Sequence, residues 1–114
     1  MKRPTRFYSN KQEKRVAKAV DGKQTVNSGA TPFQKGDVNT DLFLIECKTA
    51  TTEKKSFSIK REWIDKNDEE AFAMDKPFSA LAIDFGDGTN YYVINEKLFK
   101  RLIGYIREEI NNGR

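Results

Sequence analysis

The sequence predicts a mixed α/β fold, with elements in the order α-β-β-β-α-β-β-α and helices packed on the faces of one mixed sheet. Three observations predict it. Apolar residues recur at helical spacing in three stretches, the last being Leu98/Phe99, Leu102/Ile103, Ile106 and Ile110. Two runs, residues 42–45 and, except for Ser79 and Asp84, residues 78–85, are apolar on consecutive positions, as expected of strands covered on both faces. Turn-forming clusters, Asn39-Thr40-Asp41 and Gly86-Asp87-Gly88, punctuate the strands.

Residues 1–8 read as a flexible basic arm, and residues 9–114 as a single domain. Ser9 followed by Gln12 fits a capping box, so the first helix is expected to start at Asn10. It is expected to stop at Asp21-Gly22, with the glycine as C-terminal cap. Its apolar stripe is Val16, Ala17 and Val20, and Glu13 shares that face, which turns its carboxylate inward or along the domain's edge. Residues 24–27 and 35–38 are short strand candidates around a loop at 28–32. Residues 41–48 form the central strand, and the polar segment 49–55 is expected to be mobile. A helix over 59–74 ends before Lys76-Pro77. The buried strand 78–85 and its return at 91–94 follow, and Asn95 caps the last helix. Asp84-Phe85-Gly86 spells a kinase tripeptide, but no Gly-rich loop or catalytic loop accompanies it, so it reads as a hairpin end. Cys47 and Trp63 read as core residues, and the Leu98 to Ile110 stripe as either core or dimer interface.

A chain of 114 residues suffices for one domain with a real core. No apolar run approaches the ~20 residues of a membrane span, and the basic N-terminus has no signal-peptide apolar region. The expectation is an intracellular, cytoplasmic protein without a membrane partner. A single cysteine excludes an intrachain disulfide and a cysteine-based zinc site. The absence of histidine excludes His–Ser and His–Cys catalysis and His-ligated metals. Hydrolytic chemistry would have to use carboxylates, lysine and a hard metal ion. The formal charge of +4 is uneven: residues 1–24 hold Lys2, Arg3, Arg6, Lys11, Lys14, Arg15, Lys18 and Lys23 against only Glu13 and Asp21. A basic arm on a near-neutral body suggests a polyanionic partner.

Glu46 and Lys48 flank Cys47 on the central strand, so they share one face while Cys47 takes the other. A carboxylate and an ammonium on one side of a core sheet often serve chemistry. Asp37 lies just before the turn at 39–41, so pairing of the flanking strands lets the Asp37 and Glu46 carboxylates converge, with Glu13 inward on the preceding helix. Hard oxygen ligands suit Mg²⁺, with Mn²⁺ as a substitute. Such an ion acidifies water and neutralises phosphoryl oxygens. Lys48 would orient that water or stabilise charge growing in the transition state. This set points to phosphodiester hydrolysis, although Glu-x-Lys alone equally fits a same-strand ion pair on a solvated face. Lys2, Arg3, Arg6, Lys54 and Lys55 are candidates for DNA phosphate contacts, which fix position rather than sequence.

The chain also resembles a known family. The residues that carry the resemblance are Glu13 on the first helix, Asn27-Ser28-Gly29-Ala30, Gly36-Asp37 and Ile45-Glu46-Cys47-Lys48, then a helix opening Ile59-Lys60-Arg61 and a strand pair. They are similar to the PD-(D/E)xK nuclease superfamily, with its restriction-endonuclease-like core, and within it to the archaeal-type and phage-encoded Holliday junction resolvases. The resemblance spans residues 10–95. It implies a metal site of Glu13, Asp37, Glu46 and the Cys47 carbonyl, with Lys48 as catalytic lysine. It also implies that Ser28 lies near the scissile phosphate and Lys60 close to the site. The activity it implies is that of a Mg²⁺-dependent endodeoxyribonuclease, a homodimer that cuts opposed strands of a four-way junction and leaves 5′-phosphate and 3′-hydroxyl ends. Gly36 stands where the superfamily name has proline, and the loop 29–36 has its own sequence, which bears on the aim of Ser28. Two alternatives stay open: another nuclease of the superfamily acting in repair or replication, and a non-catalytic DNA-binding recombination module.

Overall fold

The computed structural model describes residues 4–25 and 37–113. Its elements are α1 (Thr5–Ala19), β1 (Lys23–Gln24), β2 (Val38–Asn39), β3 (Phe43–Thr49), α2 (Arg61–Ala73), β4 (Phe78–Asp84), β5 (Asn90–Val93) and α3 (Glu96–Asn112). Among the described residues the strands form one sheet in the order β1-β2-β3-β4-β5. Strands β3 and β4 are parallel; the other neighbours are antiparallel. The fold is therefore mixed α/β, in the predicted order of elements.

The parallel β3–β4 pair requires a crossover, and α2 supplies it. Side chains alternate along β3, so Ile45 and Cys47 meet Val16 of α1, Val38, Ala80 and Ala82 in one buried cluster. Leu44, Leu81 and Ile83 are buried on the opposite face, which α2 covers. Each helix also pins the parallel pair with a buried amide. Gln12 of α1 donates Nε2 to the carbonyls of Lys48 (3.0 Å) and Ala82 (3.1 Å), and Asn67 of α2 donates Nδ2 to those of Leu44 (3.3 Å) and Ala80 (3.1 Å). These bonds use carbonyl lone pairs that the strand ladder leaves over.

The start of α1 differs from expectation. The helix begins at Thr5, so the arm expected over 1–8 is helical from Thr5 onward, and Ser9 Oγ bonds the Thr5 carbonyl (3.3 Å) within the helix instead of capping it. Gln12 is fully buried and also reaches Asn90 Oδ1 (3.0 Å), so it is not free to complete a capping box. The helix ends differ as well. In α1 the left-handed residue is Asp21 (φ 53°), and the Gly22 N–H closes back on the Ala17 carbonyl (2.8 Å). Asp75 (φ 56°) and the Lys76 N–H to Ala71 carbonyl bond (2.8 Å) end α2 the same way. Both are Schellman closures with aspartate in the position that usually takes glycine. Gly22 is needed for space, because a Cβ there would stand 2.7 Å from the Asn39 carbonyl oxygen.

At the end of β4, the buried Asp84 accepts Arg15 (2.6 Å) on Oδ2 and the N–H groups of Gly86 (2.8 Å) and Gly88 (3.1 Å) on Oδ1. A buried carboxylate with three partners is compensated. The pair commits one cation of the basic N-terminal set, Arg15, to the interior. The segment after β3, expected to be mobile, is fastened by Ala50 N–H to the Asp84 carbonyl (3.0 Å) and Lys54 N–H to the Phe85 carbonyl (2.8 Å). Gly86 (φ +100°) admits this approach, since a Cβ there would lie 2.5 Å from the Thr52 carbonyl oxygen.

Candidate active site

The antiparallel register sets Val38 against Ile45, which leaves Asp37 level with Glu46 just outside β2. Asp37 is locked there: its N–H bonds the Ile45 carbonyl (3.1 Å), its carbonyl takes the Thr25 N–H (2.9 Å), and its Oδ2 accepts the Cys47 N–H (2.7 Å). Glu46 projects from β3 on the α2 side, level with Asp37, whose carboxyl acts on it directly. Glu13 approaches from α1 on the other side and receives Gln24 Nε2 at 3.4 Å. Glu13, Asp37, Gln24 and Arg6 line a common cleft of about 370 Å³. Asp37 thus neighbours Glu46 on one side and shares a cleft with Glu13 on the other.

The electrostatics follow from this crowding. Burial, and then the Asp37 carboxyl, push Glu46 up to about 8, against the opposing ammonium of Lys48. Burial and Asp37 also raise Glu13 above the usual carboxyl range, with Gln24 and Arg6 acting the other way. The Cys47 thiol is driven up by burial and then by the carboxyls of Asp37, Glu13 and Glu46. It stays a neutral, buried group, in keeping with the reading of Cys47 as a small core residue.

Lys48 shares the α2-side face with Glu46, and its Nζ lies 4.5 Å from the centroid of the Trp63 ring. Lys60, immediately before α2, brings its own Nζ to 5.9 Å from the same ring. Trp63 is half-buried and underlies both amines, so it is more than the core residue its sequence position suggests. Gln12 fixes the Lys48 backbone from the opposite face, and the ring holds its side chain, so this lysine is positioned at both ends. Two of these supports were missed in the sequence. Gln12 is a polar residue one turn before Val16 in the apolar phase of α1, which is a readable signal; the pairing of Trp63 with Lys48 depends on helix–sheet packing.

The remaining candidates are dispersed. Arg6 is exposed at the cleft of Glu13 and Asp37. Lys54 and Lys55 are exposed beside a separate cavity on the α2 side of the sheet. Lys2, Arg3, Ser28 and the loop 29–36 lie outside the described residues.

Among the described residues, no three His, Cys, Asp or Glu side chains already form a metal-holding group. The arrangement offers the Asp37–Glu46 pair of hard oxygens. Mg²⁺ is commonly held by one or two carboxylates and keeps several waters. Ionised together, Asp37 and Glu46 would face the single opposing ammonium of Lys48, and a hard divalent cation would supply the missing countercharge. On that observation the residues fit Mg²⁺ or Mn²⁺. Cys47 contacts Asp37 through its N–H, and its thiol belongs to the core cluster.

Compared with known proteins, the chain matches no family model, no curated protein and no solved structure at a significant level. Among the described residues, no helix is long and apolar enough to cross a membrane.

Proposed function

We propose that this chain is a Mg²⁺-dependent endonuclease of branched DNA that resolves four-way junctions as a homodimer, in line with its resemblance to the PD-(D/E)xK superfamily. The observation that carries the reading is that Asp37 and Glu46 lie level on neighbouring strands, with the held amine of Lys48 on the same face as Glu46. A metal bound there would neutralise phosphoryl charge and acidify a water. Asp37 and Glu46 would hold it, with the Cys47 carbonyl as a further ligand. Glu13, in the cleft it shares with Asp37, adds a further acidic group beside the pair. Lys48 supplies a fixed ammonium for charge that grows on the phosphate. Arg6, Lys54, Lys55 and Lys60 are exposed cations for backbone contacts. The test is a four-way junction assay with Mg²⁺ or Mn²⁺. Paired nicks near the crossover with 5′-phosphate ends are expected. Cutting of single strands or ends alone would favour another nuclease of the superfamily, and tight binding without cleavage in either metal would favour a non-catalytic module.

The homodimer is supported by α3. The stripe that the sequence left as core or interface is buried only at Leu98; Phe99, Leu102, Tyr105, Ile106 and Ile110 are exposed. Every residue from Gly104 to Gly113 is exposed, and the long axis of the molecule is 54 Å. The helix carries Lys97, Lys100 and Arg101 beside Glu96 early, and Glu108 and Glu109 beside Arg107 late. An antiparallel pair of α3 helices would therefore cover both apolar faces and bring Arg101 of one copy near Glu108 and Glu109 of the other. Sedimentation is expected to give a dimer for the wild type and a monomer for Ile106→Glu, with the melting temperature of the body retained. A wild-type monomer would remove this assignment.

A further inference from the structure

A cavity of about 470 Å³ opens on the α2 side of the sheet, separate from the carboxyl cluster. Its floor is Ile83, its aromatic walls are Phe57, Phe85 and Tyr91, and Lys54 and Lys55 stand at its rim. The three rings form a chain of edge contacts, Phe57 to Phe85 at 6.0 Å and Phe85 to Tyr91 at 5.8 Å between centroids. That geometry fixes the rings against one another and leaves Tyr91 59% exposed. The lysine side is equally fixed, through the Lys54 N–H to Phe85 carbonyl bond and the close passage of Thr52 over Gly86.

Register ties this cavity to the lysine of the site. Lys48 lies level with Ile83 in the parallel pair, and Ile83 level with Tyr91 in the next. Residues level across neighbouring strands share a face, so Lys48, Ile83 and Tyr91 form one row on the α2 side. Two strand spacings make the row about 10 Å long. This is about three steps of stacked DNA at ~3.4 Å each, and fewer steps of an unstacked strand.

We infer that this cavity binds an unstacked nucleobase from the DNA strand running past Lys48, with the ring of Tyr91 as stacking platform and Lys54 and Lys55 on the adjoining phosphates. The inference rests on the proposed DNA-cleaving function. Exposed aromatic faces beside a basic rim are the chemistry by which single-stranded nucleic acid is held, because every base has a π-face to stack. One wall residue carries the opposite charge, Asp87, and its Oδ1 is engaged by the Thr89 N–H (3.0 Å). A junction offers unpaired or easily unpaired bases at its crossover; uniform duplex does not.

The test uses the full chain without divalent ions, so that binding is read apart from cleavage. A single-stranded oligonucleotide with one 2-aminopurine is titrated with wild type, Tyr91→Phe and Tyr91→Ala, each checked for a retained melting transition. Quenching of 2-aminopurine by wild type and Tyr91→Phe is expected, with quenching lost and affinity reduced about tenfold in Tyr91→Ala. The double variant Lys54→Gln/Lys55→Gln is expected to keep the quenching but show a shallower salt dependence. Absence of quenching by wild type, or equal quenching by Tyr91→Ala, would overturn the inference. The junction assay with Mg²⁺ fails or succeeds independently, so the loss of one proposal is distinguishable from the loss of the other.

Discussion

Lys48→Met is expected to lower the rate of junction cleavage by roughly 10²–10³-fold while leaving junction affinity in Ca²⁺ nearly unchanged. The magnitude is that of removing one fixed donor from a site where charge develops. Methionine keeps an unbranched stem of similar length and removes the ammonium that sits over Trp63. The lost cation–π contact is worth about 0.5–1 kcal/mol at a partly exposed site. For a domain of this size that lowers the melting temperature by only a few degrees. The backbone of residue 48 stays anchored, because the Gln12 amide bonds its carbonyl and not its side chain. Single-turnover cleavage, with melting curves alongside, makes the test. A Lys48→Met protein that cuts at the wild-type rate would reduce Lys48 to a surface lysine covering an indole.

The same geometry separates the two acids. Asp37 is chemically suited to hold a cation, but its Oδ2 also closes on the Cys47 N–H and its backbone joins both neighbouring segments. Glu46 has no such duty among its described contacts; its charged neighbours are two carboxyls, Asp37 and Glu70, and the amine of Lys48. Loss of activity on changing Asp37 is thus ambiguous between chemistry and structure in a way that loss on changing Glu46 is not.

What could be read from the sequence follows which forces are local. Strands β3 and β4 were readable because burial on both faces leaves apolar residues on consecutive positions, 43–45 in β3 and 80–83 in β4. The cap of α3 was readable because Asn95 Oδ1 accepts the Leu98 N–H (2.8 Å), a contact within one turn. The convergence of Asp37 and Glu46 was readable because alternation along β3 and a short turn fix both positions. The start of α1 was not, because the Ser9-x-x-Gln12 pattern is local while the pull on Gln12 comes from strands far along the chain. The glycine rule for helix ends failed at Asp21 for a related reason: Gly22 answers to the Asn39 carbonyl across the sheet. How near Glu13 comes to the other acids, and what Trp63 touches, depend on how each helix settles on its face.

Glu46→Gln is expected to stabilise the metal-free protein at alkaline pH and to lose cleavage. Burial and the Asp37 carboxyl raise the folded-state Glu46 carboxyl from 4.5 to about 8. A group raised on folding contributes stability fully present below its unfolded value and lost as pH rises through its folded one. The metal-free wild type therefore gives up stability between pH 4.5 and about 8. Glutamine at this position cannot ionise, so that loss disappears. The gap between variant and wild type should be near zero in acid and open to about 2 kcal/mol above pH 8, after discounting for the partial exposure of the carboxyl. Added Mg²⁺ should close the gap from the other side by stabilising ionised wild type at pH 8 and leaving Glu46→Gln unmoved, since a ligand raises the stability only of the state that binds it. Metal affinity and cleavage by the wild type should both rise with pH over the range where Glu46 ionises. Thermal melts of both proteins at pH 5 and pH 9, with and without Mg²⁺, decide it. A variant less stable than wild type at pH 9 without metal would mean that Glu46 serves the fold, and that a metal site at Asp37 must be sought in other ligands.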